Sequence, residues 1–379
     1  MKIVNIPVTA FLVFISTSLW AAPKPIPDPP SIDADSYFLM DFNSGRVLAE
    51  KNPDKRVEPA SITKLMTAYL VDKAIADGDI KLDDLVTISE KAWRMKGSKM
   101  FVEVGKQITV EDLLKGLIIQ SGNDASVALA EYIAGTESAF AGYMSHQAQV
   151  MGMTNTQFEN ATGWPTEGHY STAHDIAILT QAVIREFPET YRIYKEKEYT
   201  FNGIRQFNRN RLLWRDNSVD GVKTGHTEAA GYCLVASAIR DDMRLISVVL
   251  GADSDKSRTQ SSQSLLNYGY RHFETHRLYR ANETLKTARI WYGDQEQLAI
   301  GVESDIYITI PRGRYRDLQA SMEIDSEINA PVVRGQEMGV VNVKLNDELV
   351  VSKSIVATHA VNDGGLLVKV LDSIKLMFK

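Results

Sequence analysis

The chain is 379 residues long, more than one ordinary core fills, and so is read as two domains. Its 44% hydrophobic and 24% charged residues are those of an ordinary soluble protein, not of a disordered one. A net charge of −6, with no basic tract interleaved with aromatics, excludes a nucleic-acid partner, and a single cysteine, Cys233, excludes an internal disulfide.

Residues 1–21 read as an export leader. Lys2 supplies the positive end, Val8 to Leu19 the short apolar run, and Ala21 and Ala22 the small residues for cleavage, with Leu19 or Trp20 an imperfect −3 residue. The run is too short to span a bilayer comfortably. Residues 22–35 form a proline-rich linker (Pro23, Pro25, Pro27, Pro29, Pro30), expected to be extended and poorly packed. Tyr37 to Met40, the turn Asn43-Ser44-Gly45 and Arg46 to Leu48 carry a hairpin signature.

A helix is expected to start at Pro59, whose missing N–H costs nothing in a first turn. Ser61 and Lys64, three residues apart, then share one face. A serine hydroxyl needs a neighbouring base, and a lysine serves once burial or nearby cations lower its pKa. By itself the pair is weak evidence, because a serine there is an ordinary N-cap and S-x-x-K arises by chance about once or twice in a chain this long.

Residues 81–106 are polar and broken by Gly97 and Gly105. Thr109 reads as the N-cap of a helix with Asp112 three residues on, and Leu113, Leu114, Leu117 and Ile118 as its apolar face. That helix stops at Ser121-Gly122-Asn123, and another begins at Asp124. Such a break inside an apolar segment is costly and is either a site or a plain inter-helix turn. Further helices are expected over 137–152, 174–187 and 257–273. Residues 231–239 and 243–250 read as paired antiparallel strands, with Cys233 buried in the first as an inert thiol.

Past about residue 280 short strand-like runs replace helices (287–292, 306–310, 340–345, and 349–351 after an Asn346-Asp347 turn), so a small β domain is expected. Residues 366–379 are amphipathic. Leu366, Leu367, Val370, Leu371, Ile374, Met377 and Phe378 fall on one face opposite Lys369, Asp372, Ser373, Lys375 and Lys379, with Val368 and Leu376 breaking the polar side. No helix-packing partner is evident in the preceding β region, so a helix lying in a membrane surface is expected over one docked on the protein.

Three motifs stand in order: Ser61-Ile62-Thr63-Lys64, Ser121-Gly122-Asn123 and Lys223-Thr224-Gly225. S-x-x-K, S-x-N and K-T-G in that order resemble the signature of penicillin-binding proteins and class A β-lactamases. Residues 201–206, 208–214 and 220–227 extend the likeness to the low-molecular-mass penicillin-binding proteins of the 5/6 type, D-alanyl-D-alanine carboxypeptidases. The resemblance covers nearly the whole chain after the leader.

It implies an α/β (α+β) penicillin-recognising domain over 36–280, with an antiparallel sheet flanked by helices. A β-rich second domain over 281–362 and an amphipathic anchor over 363–379 on the periplasmic face of the inner membrane complete the expectation. Ser61 is then the nucleophile and Lys64 its base, and Ser121 relays a proton to the leaving amine. Asn123 binds the substrate amide and holds Lys64, while Lys223, Thr224 and Gly225 shape the carboxylate side. The Ser61 and His226 N–H groups form the oxyanion hole. Arg258 grips the terminal carboxylate, and Arg209 is a weaker candidate for the same region. The implied partners are a peptidoglycan stem peptide ending in D-Ala-D-Ala, β-lactams and the inner-membrane surface; no cofactor or metal is called for. A serine β-lactamase or D,D-endopeptidase is the alternative. The former needs a glutamate on the intervening loop, and neither Glu159 nor Glu167 stands in an E-x-x-x-N setting. A catalytically silent wall-binding protein is opposed by the intact Ser61 and Lys64.

Overall fold

The computed structural model describes residues 26–378; the expected leader, with Pro23 and Pro25, lies outside the described residues. Its central element is a five-stranded antiparallel sheet in the order Val47–Lys51, Ser36–Asp41, Met243–Ala252, Gly231–Arg240, Val219–Thr227. Strand alternation puts Phe38 and Met40 on one face and Tyr37 and Leu39 on the other. Both faces are covered, which explains the nearly unbroken apolar runs Leu234–Ala236 and Leu245–Leu250. One face packs against a helical region that includes Lys64–Asp77, Asn123–Ala134 and Ala173–Glu186. The other packs against Asp255–His272 through Leu265 and Leu266.

Local chemistry sets the helix limits. Thr109 Oγ1 accepts the Asp112 N–H at 3.1 Å, as the capping pattern predicts. Thr172 and Ser254 cap their helices in the same way, through the N–H groups of Asp175 and Ser257. The proline-rich segment is better packed than its composition suggests. Ile32 and Ala34 are buried, and the Pro27 carbonyl accepts the Tyr268 hydroxyl at 3.0 Å, because the segment runs along the helix on the outer sheet face.

Phe273–Tyr279 continues directly from that helix and pairs with Ile306–Pro311. Beyond it lies a six-stranded sheet that includes Gln297–Gly301 and Leu318–Ile324, two strands too short or too polar to stand out in the sequence. The two regions meet in a half-buried hydroxyl network. Thr309 Oγ1 lies 2.6 Å from Ser44 Oγ and 2.8 Å from Thr275 Oγ1, and Thr275 donates to Asp41 at 2.7 Å.

The last helix, Gly365–Met377, carries its wide apolar face outward, with Leu366 84% and Phe378 87% exposed. Val368, Asp372 and Leu376 are turned instead toward the β-rich region, with Asp372 buried there. The expectation of no packing partner is therefore corrected. The helix docks by the stripe in which Val368 and Leu376 interrupt the polar side, because Asp372 between them finds donors on the preceding turn and strand.

Candidate active site

Ser61 sits in a tight 3-10 turn, Ala60–Thr63, which leads straight into the α-helix Lys64–Asp77. The serine is half-buried and reachable, whereas Lys64 is wholly buried. Lys64 Nζ lies 2.9 Å from Ser61 Oγ, 2.7 Å from Asn123 Oδ1 and 2.6 Å from the Thr162 carbonyl oxygen. Asn123 Oδ1 and the carbonyl can only accept. They take the two hydrogens of a neutral amine and leave its lone pair aimed at the Ser61 hydroxyl. Burial, and next the charge of Arg209, lower the Lys64 pKa to about 7.

The S-G-N break has a geometry of its own that a plain inter-helix turn would not need. The preceding helix widens to a π turn over Gly116–Gln120, and Ser121 takes the left-handed conformation at φ 67°. A non-glycine residue rarely rests there without tertiary support. Here the flip brings Ser121 Oγ to 2.8 Å from Lys223 Nζ. Asn123, in the first turn of the next helix, is oriented by donating from Nδ2 to the Lys96 carbonyl at 2.6 Å.

Lys223, Thr224 and Gly225 lie on Val219–Thr227, an edge strand of the sheet, so its outer long side pairs with no other strand among the described residues. Lys223 is buried, and burial followed by the charges of Lys64, Arg209 and Arg258 pushes its ammonium well below the usual lysine range. A Cβ on Gly225 would lie 3.0 Å from the Pro59 carbonyl, so glycine permits the strand to close on the serine turn. His226 is exposed at the end of the strand, and its ring packs on Tyr232 at 4.0 Å between centroids.

The two arginines differ. Arg258 is buried and pairs with Asp255, while its Nη1 donates to the carbonyls of Gly225 and Cys233 at 3.0 and 3.1 Å. It thus ties two adjacent strands together behind the K-T-G segment. Arg209 shows no hydrogen bond or ion pair among the described residues, and it lines a cleft of about 460 Å³ with Phe101, Gln120, Phe207 and Arg258. Cys233 is fully buried, and burial raises its thiol to about 11, as expected of an inert cysteine.

Three contributors were not legible in the sequence. The loop 156–171 supplies the Thr162 carbonyl, a main-chain group with no side-chain signature. It is pressed on the serine turn at Gly163, where φ is 79° and a Cβ would stand 1.7 Å from the Ala60 carbonyl oxygen. His169 pins the same loop. Its Nδ1 accepts the Glu159 N–H at 3.0 Å, which leaves Nε2–H to donate to Thr63 Oγ1 at 2.7 Å. Burial and the Lys64 charge hold this imidazole near 4, so it is neutral at pH 7. Asp124, which reads as a helix-start acid, accepts the N–H groups of Met100, Phe101, Val102 and Ala125 and so holds the loop lining the Asn123 side. Glu159 and Glu167 are both exposed, and among the described residues no carboxylate is hydrogen-bonded to Ser61 or Lys64.

Residues 24–254 match the family described as D-alanyl-D-alanine carboxypeptidase, and residues 273–363 match the C-terminal domain of penicillin-binding protein 5. The sequence is 47% identical over 362 residues to D-alanyl-D-alanine carboxypeptidase DacA of Escherichia coli K12, spanning 93% of this chain and 90% of that protein. It is 44% identical over 378 residues to DacC of the same strain, spanning 98% and 94%. Penicillin-binding protein 5 from Haemophilus influenzae superposes with a TM-score of 0.84 at 43% identity, over 88% of this chain and 99% of that one. Penicillin-binding protein D2 from Listeria monocytogenes, solved in its ampicillin-bound form, superposes with a TM-score of 0.59 at 30% identity, over 63% and 98%.

Proposed function

This chain belongs to the D-alanyl-D-alanine carboxypeptidase family of serine peptidases, and from that premise we propose that Ser61, Lys64 and Ser121 carry its chemistry. The protein is a serine hydrolase of the cell wall that releases a terminal D-alanine and binds penicillin; the β-lactamase alternative finds no support among its relatives. The observation that carries the assignment of roles is the three-way contact of Lys64 Nζ, with its amine half-neutral near pH 7.

The reaction follows from those contacts. Ser61 Oγ bonds to the carbonyl carbon of the penultimate D-alanine while its proton passes to the Lys64 lone pair. Lys64 then donates to three acceptors, so the ammonium is as well satisfied as the amine was. The carbonyl oxygen gains the negative charge, and the main-chain N–H groups of Ser61 and His226 receive it; N–H groups in a first helical turn lack intrahelical acceptors. Ser121, held by Lys223, delivers a proton to the departing amine as the C–N bond breaks and takes the Lys64 proton in exchange, which returns Lys64 to the neutral amine. Water then attacks the Ser61 ester, its proton goes to Lys64, and Ser61 Oγ recovers a proton as the product acid leaves.

Asn123, Thr224 and Gly225 bind the peptide along the open strand edge. The terminal carboxylate is expected on Arg258 from the family resemblance. Most donors of that guanidinium are already engaged, so we assign direct contact to Arg209, with Lys223 and Thr224 beside it, and give Arg258 the task of holding the strand. Regions 36–280, 281–362 and 363–379 are assigned to catalysis, spacing and surface attachment, with Phe273–Tyr279 bridging the first two. The leader motif in 1–21 supports export to the periplasm, and the exposed apolar face of the last helix supports attachment to the inner-membrane surface. Among the described residues no helix is long and apolar enough to cross a membrane.

The test is release of D-alanine from diacetyl-L-Lys-D-Ala-D-Ala by the chain lacking residues 1–21, beside labelling by a fluorescent penicillin. Ser61→Ala is expected to abolish both. Persistent labelling would move the nucleophile elsewhere, and absence of release by the unsubstituted enzyme would refute the peptidase assignment.

A further inference from the structure

The last helix is held to the β-rich region at two points, and both clamp the same turn. Gly364 donates its N–H to the Tyr292 carbonyl at 2.8 Å, and a Cβ there would lie 2.4 Å from the Gly293 oxygen, so the chain enters the helix against the Trp291–Asp294 turn. Two helical turns further on, the buried Asp372 accepts the Tyr292 N–H at 2.8 Å and the Arg289 guanidinium at 3.1 Å. Tyr292 takes the left-handed conformation at φ 64°, and its N–H and carbonyl both go to the terminal segment. Asp294 adds a third tie through the Asn362 N–H at 3.1 Å.

Resting on the surface-attachment reading above, we propose that Asp372, Arg289 and the Tyr292 turn form a latch that fixes the terminal helix in one orientation. Its apolar face then meets an anionic bilayer, and the catalytic region stands at a set distance from it. The helix is thus a rigid foot, not a leash. The angular layout supports this. At about 100° per residue, the apolar arc is centred opposite the Val368, Asp372 and Leu376 stripe, so what is not docked faces directly away from the protein. Lys369 and Lys375 fall at the two borders between stripe and arc, where lysines reach headgroup phosphates while their stems lie along apolar surface. A soluble partner groove would need no such symmetric lysine flanks. Gly364 and Gly365 would make a flexible hinge once Asp372 let go.

The test uses the chain after leader removal, labelled on Ser61 with a fluorescent penicillin. It is placed on vesicles of phosphatidylethanolamine and phosphatidylglycerol that carry an acceptor dye on the headgroups. The unsubstituted protein is expected to give one narrow distance distribution. Asp372→Ala is expected to sediment with vesicles equally well, to label equally fast, and to broaden that distribution roughly twofold as the glycine hinge is freed. In solution, amide exchange over residues 368–376 is expected to be about tenfold faster in Asp372→Ala. Equal widths for two bound proteins, or equal exchange rates, overturn the latch and leave attachment standing. If neither protein sediments with vesicles, the attachment reading fails and the bilayer role of the latch falls with it, whatever the exchange rates.

Discussion

The protonation of Lys64 offers the sharpest test of the chemistry. A lysine with the ordinary value of 10.5 would be neutral in only about three molecules in ten thousand at pH 7, whereas at about 7 half the molecules hold a free amine. Acylation needs that amine, so its rate should follow the neutral fraction. From pH 7 to pH 5 the fraction falls from about one half to about one hundredth, a loss of roughly fiftyfold, and above pH 8 it levels off. The assay is the second-order rate of fluorescent-penicillin labelling between pH 5 and 10 at constant ionic strength. One ionisation with a midpoint near 7 is expected. Arg209→Gln removes the repulsion of one positive charge and is expected to move the midpoint upward. The same shift acts on stability. The unfolded chain keeps the Lys64 proton up to about 10.5, so between about 7 and 10.5 it holds more protons than the folded chain and stability rises with pH. A rate that is flat from pH 5 to 9, or that keeps climbing past pH 9.5, would refute Lys64 as the base.

Two substitutions test the supports of the site. Gly163→Ala places a Cβ 1.7 Å from the Ala60 carbonyl oxygen at φ 79°, so the loop must lift and carry the Thr162 carbonyl away from Lys64; penicillin labelling should fall by about tenfold or more, since small misplacements of catalytic groups are costly, with far-UV circular dichroism unchanged. Unchanged labelling would show that the carbonyl is dispensable. Asp72, buried in the same helix as Lys64, has its carboxyl raised by desolvation from 3.8 to about 7. Across that window the folded chain holds the extra proton, so stability falls as pH rises, by about 4 kcal/mol in full above pH 7. Asp72→Asn should remove most of this term, so the gap in urea stability between mutant and parent should widen from pH 4 to pH 8; a gap independent of pH would contradict it.

Much of this protein is decided by local chemistry and is legible in one dimension. The hairpin at 36–51, the Thr109 cap, the paired strands after residue 231 and the amphipathic terminus all follow from periodicity and turn residues, which act over a few neighbours. The three motifs were legible for the same reason, since each is a short run of side chains whose chemistry is its own. Their convergence was not, because it depends on contacts spanning 59 positions between Lys64 and Asn123 and 102 between Lys223 and Ser121. The tertiary structure decided that Lys64 can hold a neutral amine near pH 7, as the proposed base must, for its pKa is lowered by burial and by Arg209, neither of which has a sequence signal. It also brought in groups that no pattern marks. The Thr162 carbonyl is main chain, His169 acts through a hydroxyl 106 positions away, and Asp124 serves the N–H groups of a separate loop. At the far end, periodicity alone made Val368 and Leu376 blemishes on a polar face that included Asp372. Only the Tyr292 turn, folded against them, makes that stripe the side by which the helix is held.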